Sequence, residues 1–134
     1  YDVYQSMLHL YNKTIKSQFL QEASDEEIKL KIIECYKKTL EYYLERKQFI
    51  PKSQLIEVSY DQLSKEPIKV IRNIYNELNI DGFDEVEPKI SDYLDSLGSY
   101  QKNKFNTLSN NEIGLINERW DFSFKEWNYN KIDN

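Results

Sequence analysis

The sequence has little of what several classes of protein require. Cys35 is the only cysteine, so no disulfide can form within the chain and no thiolate metal site can be assembled. A lone cysteine fits a reducing compartment, and we expect a cytoplasmic location. No apolar run is long enough to span a bilayer, and no signal peptide is visible. Glycine and proline number three each, which disfavours an all-β fold with many tight turns.

Basic residues are too few for a general nucleic-acid-binding surface. The formal net charge is -5, and the whole excess of acid lies in residues 51–134, which hold 10 basic and 15 acidic residues. Nucleic-acid-binding domains are usually basic, so we expect no nucleic-acid partner. One anion in a local basic pocket remains compatible with this charge. The aromatic share of 14% argues against disorder and predicts a folded core.

Apolar residues at helical spacing predict two long helices in the first half of the chain. The first runs from Asp2 to about Gln21. A capping box at Ser24–Glu27 opens the second, which ends before Pro51 because proline disfavours a helical residue in front of it. The apolar stripe of the second helix is most simply interpreted as core: Ile28, Ile32, Tyr36, Leu40 and Tyr43.

Three further helices are predicted in the second half. Pro67 occupies the first turn of one, a position that proline favours. A short helix from Pro88 to Leu97 is stopped by Gly98, and a second capping box, Ser109–Glu112, opens the last helix. The third helix has a predicted buried stripe of Ile68, Ile71, Ile74, Tyr75 and Leu78, and the chain closes on the aromatic residues Trp120, Phe122, Phe124, Trp127 and Tyr129.

The segment from Gln54 to Tyr60 is predicted to be a strand. Its short, mostly apolar run is typical of a strand that is buried on both faces of a parallel sheet. No second clear strand is visible, so its partners would lie outside this chain. The sequence therefore predicts an α/β fold, of which this chain holds a helix-rich part with one clear strand.

The opening residues contain Asp-Val-x-x-Ser, with the serine at Ser6. This stretch resembles the Arg-x-Pro-x-Asp-Val-x-x-Ser motif of sulfotransferases that use 3′-phosphoadenosine 5′-phosphosulfate (PAPS). In that family the arginine and the serine hold the 3′-phosphate of the nucleotide, so the resemblance assigns this role to Ser6. The arginine would lie three residues before Tyr1. Without the motif, Ser6 would be interpreted as an ordinary exposed or back-bonded helix serine.

A second piece, Val58–Pro67, resembles another signature of the family. In that signature a strand leads into Tyr-Glu-Asp-Leu, followed by three variable residues and a proline that opens a helix. Tyr60 takes the position of the tyrosine that lies beside the adenine. Asp61 and Gln62 stand where Glu-Asp is usual, whereas the spacing and the proline are kept. The alternative is that Tyr60 is only a core tyrosine at the end of a strand.

Two later pieces are similar to the same family. Gly98–Phe105 resembles its late phosphate-binding loop, and Lys102 and Lys104 are both candidates for phosphate contact because the Arg-Lys-Gly triplet of cytosolic members is absent. Either lysine could equally be a solvated loop charge. Glu118–Tyr129 resembles the family's terminal helix and aromatic-Gly-Tyr ending, with Asn128 where glycine is common.

The resemblance implies the C-terminal part, residues 1–134, of a single sulfotransferase domain with a P-loop-type, three-layer parallel-sheet fold. The implied reaction moves a sulfuryl group from PAPS to a hydroxyl or amine and leaves 3′,5′-adenosine bisphosphate (PAP). This segment would bind the 3′-phosphate and the adenine. The donor loop and the catalytic base are expected in the N-terminal half, upstream of Tyr1. We therefore assign no catalytic residue here and expect the segment alone to be inactive. The partners are the nucleotide, an unidentified acceptor and that N-terminal half.

Two other interpretations remain at this point: a non-enzymatic helical interaction domain and another phosphate-loop transferase such as a small kinase. The predicted buried strand separates the first of these from a sulfotransferase, because a helical bundle has no use for it. His9 is a possible general base, although the family's proton acceptor lies upstream. The acidic run of Asp84, Glu85 and Glu87 is interpreted as solvated surface, and we expect no metal.

Overall fold

The computed structural model describes residues 1–18, 23–98 and 107–133. Helix α1, Asp2–Leu10, continues as a π turn, Tyr11–Ile15, and a 3-10 turn, Lys16–Gln18. A further 3-10 turn is Lys52–Gln54, and the other helices are α2 Asp25–Lys47, α3 Tyr60–Lys65, α4 Pro67–Glu77, α5 Phe83–Ser96, α6 Asn110–Arg119 and α7 Asp121–Glu126. The chain divides into a first unit, Tyr1–Glu45 with Asn103–Asn134, and a second unit, Arg46–Lys102.

The predicted strand, and with it the α/β parallel-sheet fold class, is wrong. The described part of the chain is 74% helical and contains no strand. Leu55 and Ser59 do have extended backbone, with φ and ψ of -140° and 128° and of -77° and 145°. A strand, however, is defined by hydrogen bonds to a neighbouring strand, and none is present among these residues. Helix α3 begins at Tyr60, directly after Ser59.

Both predicted capping boxes are confirmed. The Ser24 hydroxyl accepts from the Glu27 N–H at 3.2 Å, and the Glu27 carboxylate accepts from the Ser24 N–H at 2.9 Å. Ser109 and Glu112 repeat this exchange at 3.3 and 3.0 Å. Each box satisfies N–H groups that a helix start would otherwise leave without partners.

Two predicted helix boundaries differ from those observed. The first helix follows the prediction as far as Leu10, where the winding changes to π, and Gln21 lies outside the described residues. The helix predicted to start at Pro88 starts instead at Phe83, because Gly82 turns the chain with φ of 83° and Phe83 becomes buried. Burial of this aromatic ring outweighs the preference of proline for a first turn.

The first unit holds a compact hydrophobic core. Its buried members come from α1, α2, α6 and α7 and from the junction between the last two: Tyr4, Ile28, Ile32, Ile33, Ile116, Trp120 and Phe124. The Trp120 indole donates a hydrogen bond of 3.0 Å to the Ile33 carbonyl, and its ring lies 4.3 Å from that of Tyr36. The core therefore joins the two ends of the sequence.

The second unit has a thinner core. Phe83 is the only buried residue among those described in it, and it meets the Tyr75 ring at 5.2 Å. The α4 stripe that was predicted to be buried is half-buried at every position: Ile68, Ile71, Ile74, Tyr75 and Leu78. The periodicity thus predicted the helix correctly and overestimated its burial.

Candidate functional site

Ser6 is the fifth residue of α1 and is exposed. The Gln5 N–H donates to the Tyr1 carbonyl at 3.1 Å, so intrahelical bonding has begun before Ser6. The helix N-terminus, which attracts anions through its N–H groups and its dipole, lies about one turn before the serine. An anion at Ser6 would therefore meet a side-chain hydroxyl rather than the first N–H groups of the helix.

The opposite face of α1 is anchored. The Tyr4 phenol is fully buried and donates to a Glu112 carboxylate oxygen at 3.1 Å, and its ring meets Trp120 edge-on with centroids 6.5 Å apart. One turn earlier, the Tyr1 hydroxyl donates to the Asn117 side chain and accepts from the Ile132 N–H at 2.8 Å. Ser6 thus lies on the side of the helix opposite Tyr4.

Glu112 joins α1 and α2 to the start of α6. One carboxylate oxygen accepts from the Ser109 N–H and hydroxyl at 3.0 and 2.7 Å. The other accepts from Tyr4 and lies 3.4 Å from the Lys29 ammonium. Burial raises the pKa of Glu112, but the bonds from Ser109 and Tyr4 and the Lys29 charge outweigh it and lower the pKa to about 2. Burial, and then the Glu112 charge, raise the pKa of the Tyr4 phenol.

Tyr60 is the first residue of α3, and 53% of it is exposed. Within this chain Tyr60 is therefore not a core residue. The Ser59 hydroxyl accepts from the Gln62 N–H at 3.2 Å, and the Gln62 side chain accepts from the Ser59 N–H at 3.5 Å. Gln62, a departure from the family's motif, therefore completes a capping box that presents Tyr60 at a helix start.

A groove of about 430 Å³ lies beside the α3–α4 segment of the second unit. Tyr60 is not part of its lining, which carries three carboxylates and one ammonium group: Ile56, Glu57, Val58, Gln62, Glu66, Lys69, Val70, Asn73 and Glu77. Lys69 is itself paired with Glu66 at 3.1 Å. Glu57 is likewise paired with Lys47 at 3.1 Å, so the one ammonium group of the lining is already engaged and the groove offers little attraction to phosphate.

Of the other residues singled out from the sequence, the structure describes His9 and the acidic run. Lys102 and Lys104 lie outside the described residues. His9 is exposed in the last turn of α1. The acidic run is engaged by Arg72, which binds Asp84 at 3.0 Å, also pairs with Glu87, and lies 4.4 Å above the Phe83 ring. Within the described ranges, no three His, Cys, Asp or Glu side chains are placed to hold a metal ion.

Ser6 lies in the first unit and Tyr60 in the second, and a model of the sulfotransferase family matches residues 1–85, a stretch that includes both. The chain belongs to the sulfotransferase family. The resemblance seen in the sequence motifs is thereby confirmed. Helices α6 and α7 lie beyond the matched stretch of this sulfotransferase chain.

Two curated relatives of the sulfotransferase chain are the omega-hydroxy-beta-dihydromenaquinone-9 sulfotransferases of Mycobacterium bovis and Mycobacterium tuberculosis. Each is 21% identical over 131 residues, which are 98% of this chain and 34% of the relative. The chain therefore spans about a third of the length of the curated relatives that it matches. No solved structure matches the chain.

Family membership, rather than the fold, separates the sulfotransferase from its alternatives. The buried strand that would have excluded a helical interaction domain is absent from the described residues. The family match instead places the chain in the sulfotransferase family, which neither alternative predicts. In the part of the chain that the structure covers, no helix is both long and apolar enough to cross a membrane.

Proposed function

We propose that this chain is the C-terminal part of a sulfotransferase domain that moves a sulfuryl group from PAPS to an acceptor and releases PAP. The observation that carries the proposal is the family match over residues 1–85, because it includes both residues that the motifs assign to the nucleotide, Ser6 and Tyr60. The acceptor class is a hydroxyl or an amine. The names of the two relatives specify a hydroxylated acceptor, which supports the hydroxyl.

In this proposal the residues of the chain hold the nucleotide. The Ser6 hydroxyl donates a hydrogen bond to the 3′-phosphate, and the Tyr60 ring lies against the adenine. Both side chains are exposed and both lie on helices. Lys102 and Lys104 remain the candidates for the positive charge beside the phosphate.

The transfer itself requires groups that we do not assign to this chain. The acceptor oxygen or nitrogen attacks sulfur, the bond between sulfur and the bridging 5′-phosphate oxygen breaks, and PAP leaves with the electron pair. The acceptor proton passes to a base, which we place outside these residues. The contribution of Ser6 and Tyr60 is to fix the donor, so that attack can proceed in line with the leaving group.

Titration calorimetry on the complete protein tests the proposal with two ligands, PAP and adenosine 5′-phosphate. Ser6→Ala removes one bond to a charged group, so PAP affinity should fall by about one to two decades. The preference for PAP over adenosine 5′-phosphate should fall with it. Tyr60→Ala removes stacking on the base and should weaken both ligands alike, by about one to two decades.

The second unit offers matched controls on α5. Ser96 is an exposed helix serine whose hydroxyl donates to the Tyr93 carbonyl at 2.6 Å, and Tyr93 is an exposed tyrosine. Ser96→Ala and Tyr93→Ala should leave both affinities unchanged. If the wild-type protein fails to bind PAP, the proposed function is wrong. If it binds PAP and Ser6→Ala keeps the full preference, only the assignment of Ser6 is wrong.

A further inference from the structure

Helix α1 is too short to fix its own position. Its nine residues make about two and a half turns, and the winding changes to π at Tyr11, directly after its end. An isolated helix of this length is marginal in water. The place of Ser6 therefore depends on the contacts that the rest of α1 makes.

The polar contacts come from the last part of the chain, whereas the apolar core around Tyr4 also includes α2. Tyr4, two residues before Ser6, is bonded to Glu112 and packed on Trp120. Tyr1 is bonded to Asn117 and to the Ile132 N–H. All these partners lie beyond residue 85, where the family match ends. Ser6 is thus inside the matched stretch, whereas the groups that form these hydrogen bonds with its helix are outside it.

Glu112 is itself well fixed, which makes it an effective anchor. Two bonds from Ser109 hold one oxygen at the start of α6, and Lys29 of α2 lies beside the other. The side chain of Glu112 is 19% exposed, so its bond to Tyr4 is partly shielded from water. A bond to an ionised acceptor is roughly twice as strong as a neutral one. The Tyr4–Glu112 bond is therefore a strong directional link between α1 and α6.

We infer that Tyr4 and Glu112 are positioning residues for the 3′-phosphate contact: their hydrogen bond sets the rotation and depth of α1 and thereby the place of the Ser6 hydroxyl. This inference rests on the proposed function. Tyr4 and Ser6 point about 200° apart around the helix, so any rotation that relaxes Tyr4 swings Ser6 by the same angle. A hydrogen bond is lost when its donor moves by well under 1 Å beyond its normal range.

The experiment is a double-mutant cycle on the complete protein, with the ratio of the Kd values for adenosine 5′-phosphate and PAP as the readout. Tyr4→Phe and Glu112→Gln should each lower this ratio by about 3- to 10-fold, while the Kd for adenosine 5′-phosphate stays unchanged. In the Ser6→Ala background, Tyr4→Phe should have no further effect on the ratio. Glu118→Gln, the same substitution at an exposed position of α6, should change neither Kd.

The outcomes distinguish failure of the inference from failure of the proposed function. A merely structural role for Tyr4 would lower the thermal midpoint and weaken both ligands equally, which overturns the inference. An equal effect of Tyr4→Phe with and without Ser6 overturns it too. Circular dichroism identifies any variant that fails to fold, and Glu112→Gln then carries the test because it retains the whole of Tyr4. If wild-type protein shows no preference for PAP, the proposed function is rejected and the inference falls with it.

Discussion

The phenol of Tyr4 donates a hydrogen bond of 3.1 Å to a carboxylate oxygen of Glu112, although 108 positions of sequence separate the two residues. The bond joins the first helix of the chain to the sixth. Because Glu112 also caps α6 through Ser109, one carboxylate secures a helix start and a long-range contact together. Its protonation state consequently affects the stability of the first unit.

We expect acid to destabilise the first unit through Glu112. The folded pKa of about 2 lies below the ordinary value of 4.5, so the ionised carboxylate stabilises the fold above about pH 4.5. That stabilisation, on the order of 3 kcal/mol, is lost as the pH falls from about 4.5 to about 2. Thermal unfolding followed by near-ultraviolet circular dichroism across this range measures it.

Glu112→Gln provides the comparison for the acid experiment, because it should be less stable at neutral pH and lose less stability on acidification. Glu27 and Asp121 also have lowered pKa values, through the bond from the Ser24 N–H and the bond from Lys125 respectively. Both titrate in the wild type and in the variant alike, so the difference between the two curves reports Glu112. Parallel curves would contradict the prediction.

Trp120→Phe should destabilise the first unit by about 1–3 kcal/mol. The substitution removes the indole N–H that donates to the Ile33 carbonyl at 3.0 Å and leaves a smaller ring in the core. Denaturant unfolding measures the loss. Trp127→Phe is the control, because Trp127 is only half-buried and its ring stacks on Tyr43 at 6.4 Å. A loss at Trp127 as large as that at Trp120 would show that the buried bond contributes nothing.

Asn128 should tolerate glycine and resist β-branched residues. Its φ of 54° lies in the left-handed region, where it ends α7 while the Tyr129 N–H donates to the Phe124 carbonyl at 2.9 Å. Asn128→Gly should be neutral or stabilising by up to about 1 kcal/mol, and Asn128→Val should cost about 1–3 kcal/mol. Thermal melts measure both. Asn130→Val, at an exposed position without positive φ, should have little effect.

The 134-residue chain alone should not turn over PAPS, because we place the donor loop and the base outside it. Incubation with labelled donor and separation of PAP by chromatography measures turnover, with the complete protein as the active control. Robust release of PAP by the isolated chain would mean that its catalytic residues have been overlooked.

The sequence predicts those features of the fold that short-range chemistry determines. The boxes at Ser24 and Ser109 and the helix that opens at Pro67 depend on groups within one turn, and all three are present. A strand depends on partners distant in sequence, and the apolar run at Leu55–Val58 could not reveal whether any partner is present. The Ser59–Gln62 box has the same Ser-x-x-Gln signal as other helix starts. It could have been found had this stretch not been interpreted as a strand.

The candidate site, too, was predictable where local sequence carries the signal and not where distant residues meet. Ser6 and Tyr60 were predicted because they stand in motifs that resemble a family, and the structure leaves both exposed. The role of Glu112 as a helix cap was visible locally, but its bond to Tyr4 was not. Nothing in the sequence around Tyr4 or around Glu112 indicates this bond, because the packing of the core brings the two residues together.

Phe83, the one buried side chain among the described residues of the second unit, determines how readily that unit opens. The free energy of local opening rises with the apolar area that a segment removes from water. Helix α4, with no buried residue, should therefore exchange its backbone amide hydrogens with solvent sooner than α2, which buries three isoleucines. Deuterium uptake read by mass spectrometry would rank the two helices. For the same reason, a protease should cleave the isolated chain in α4 before it cleaves α2.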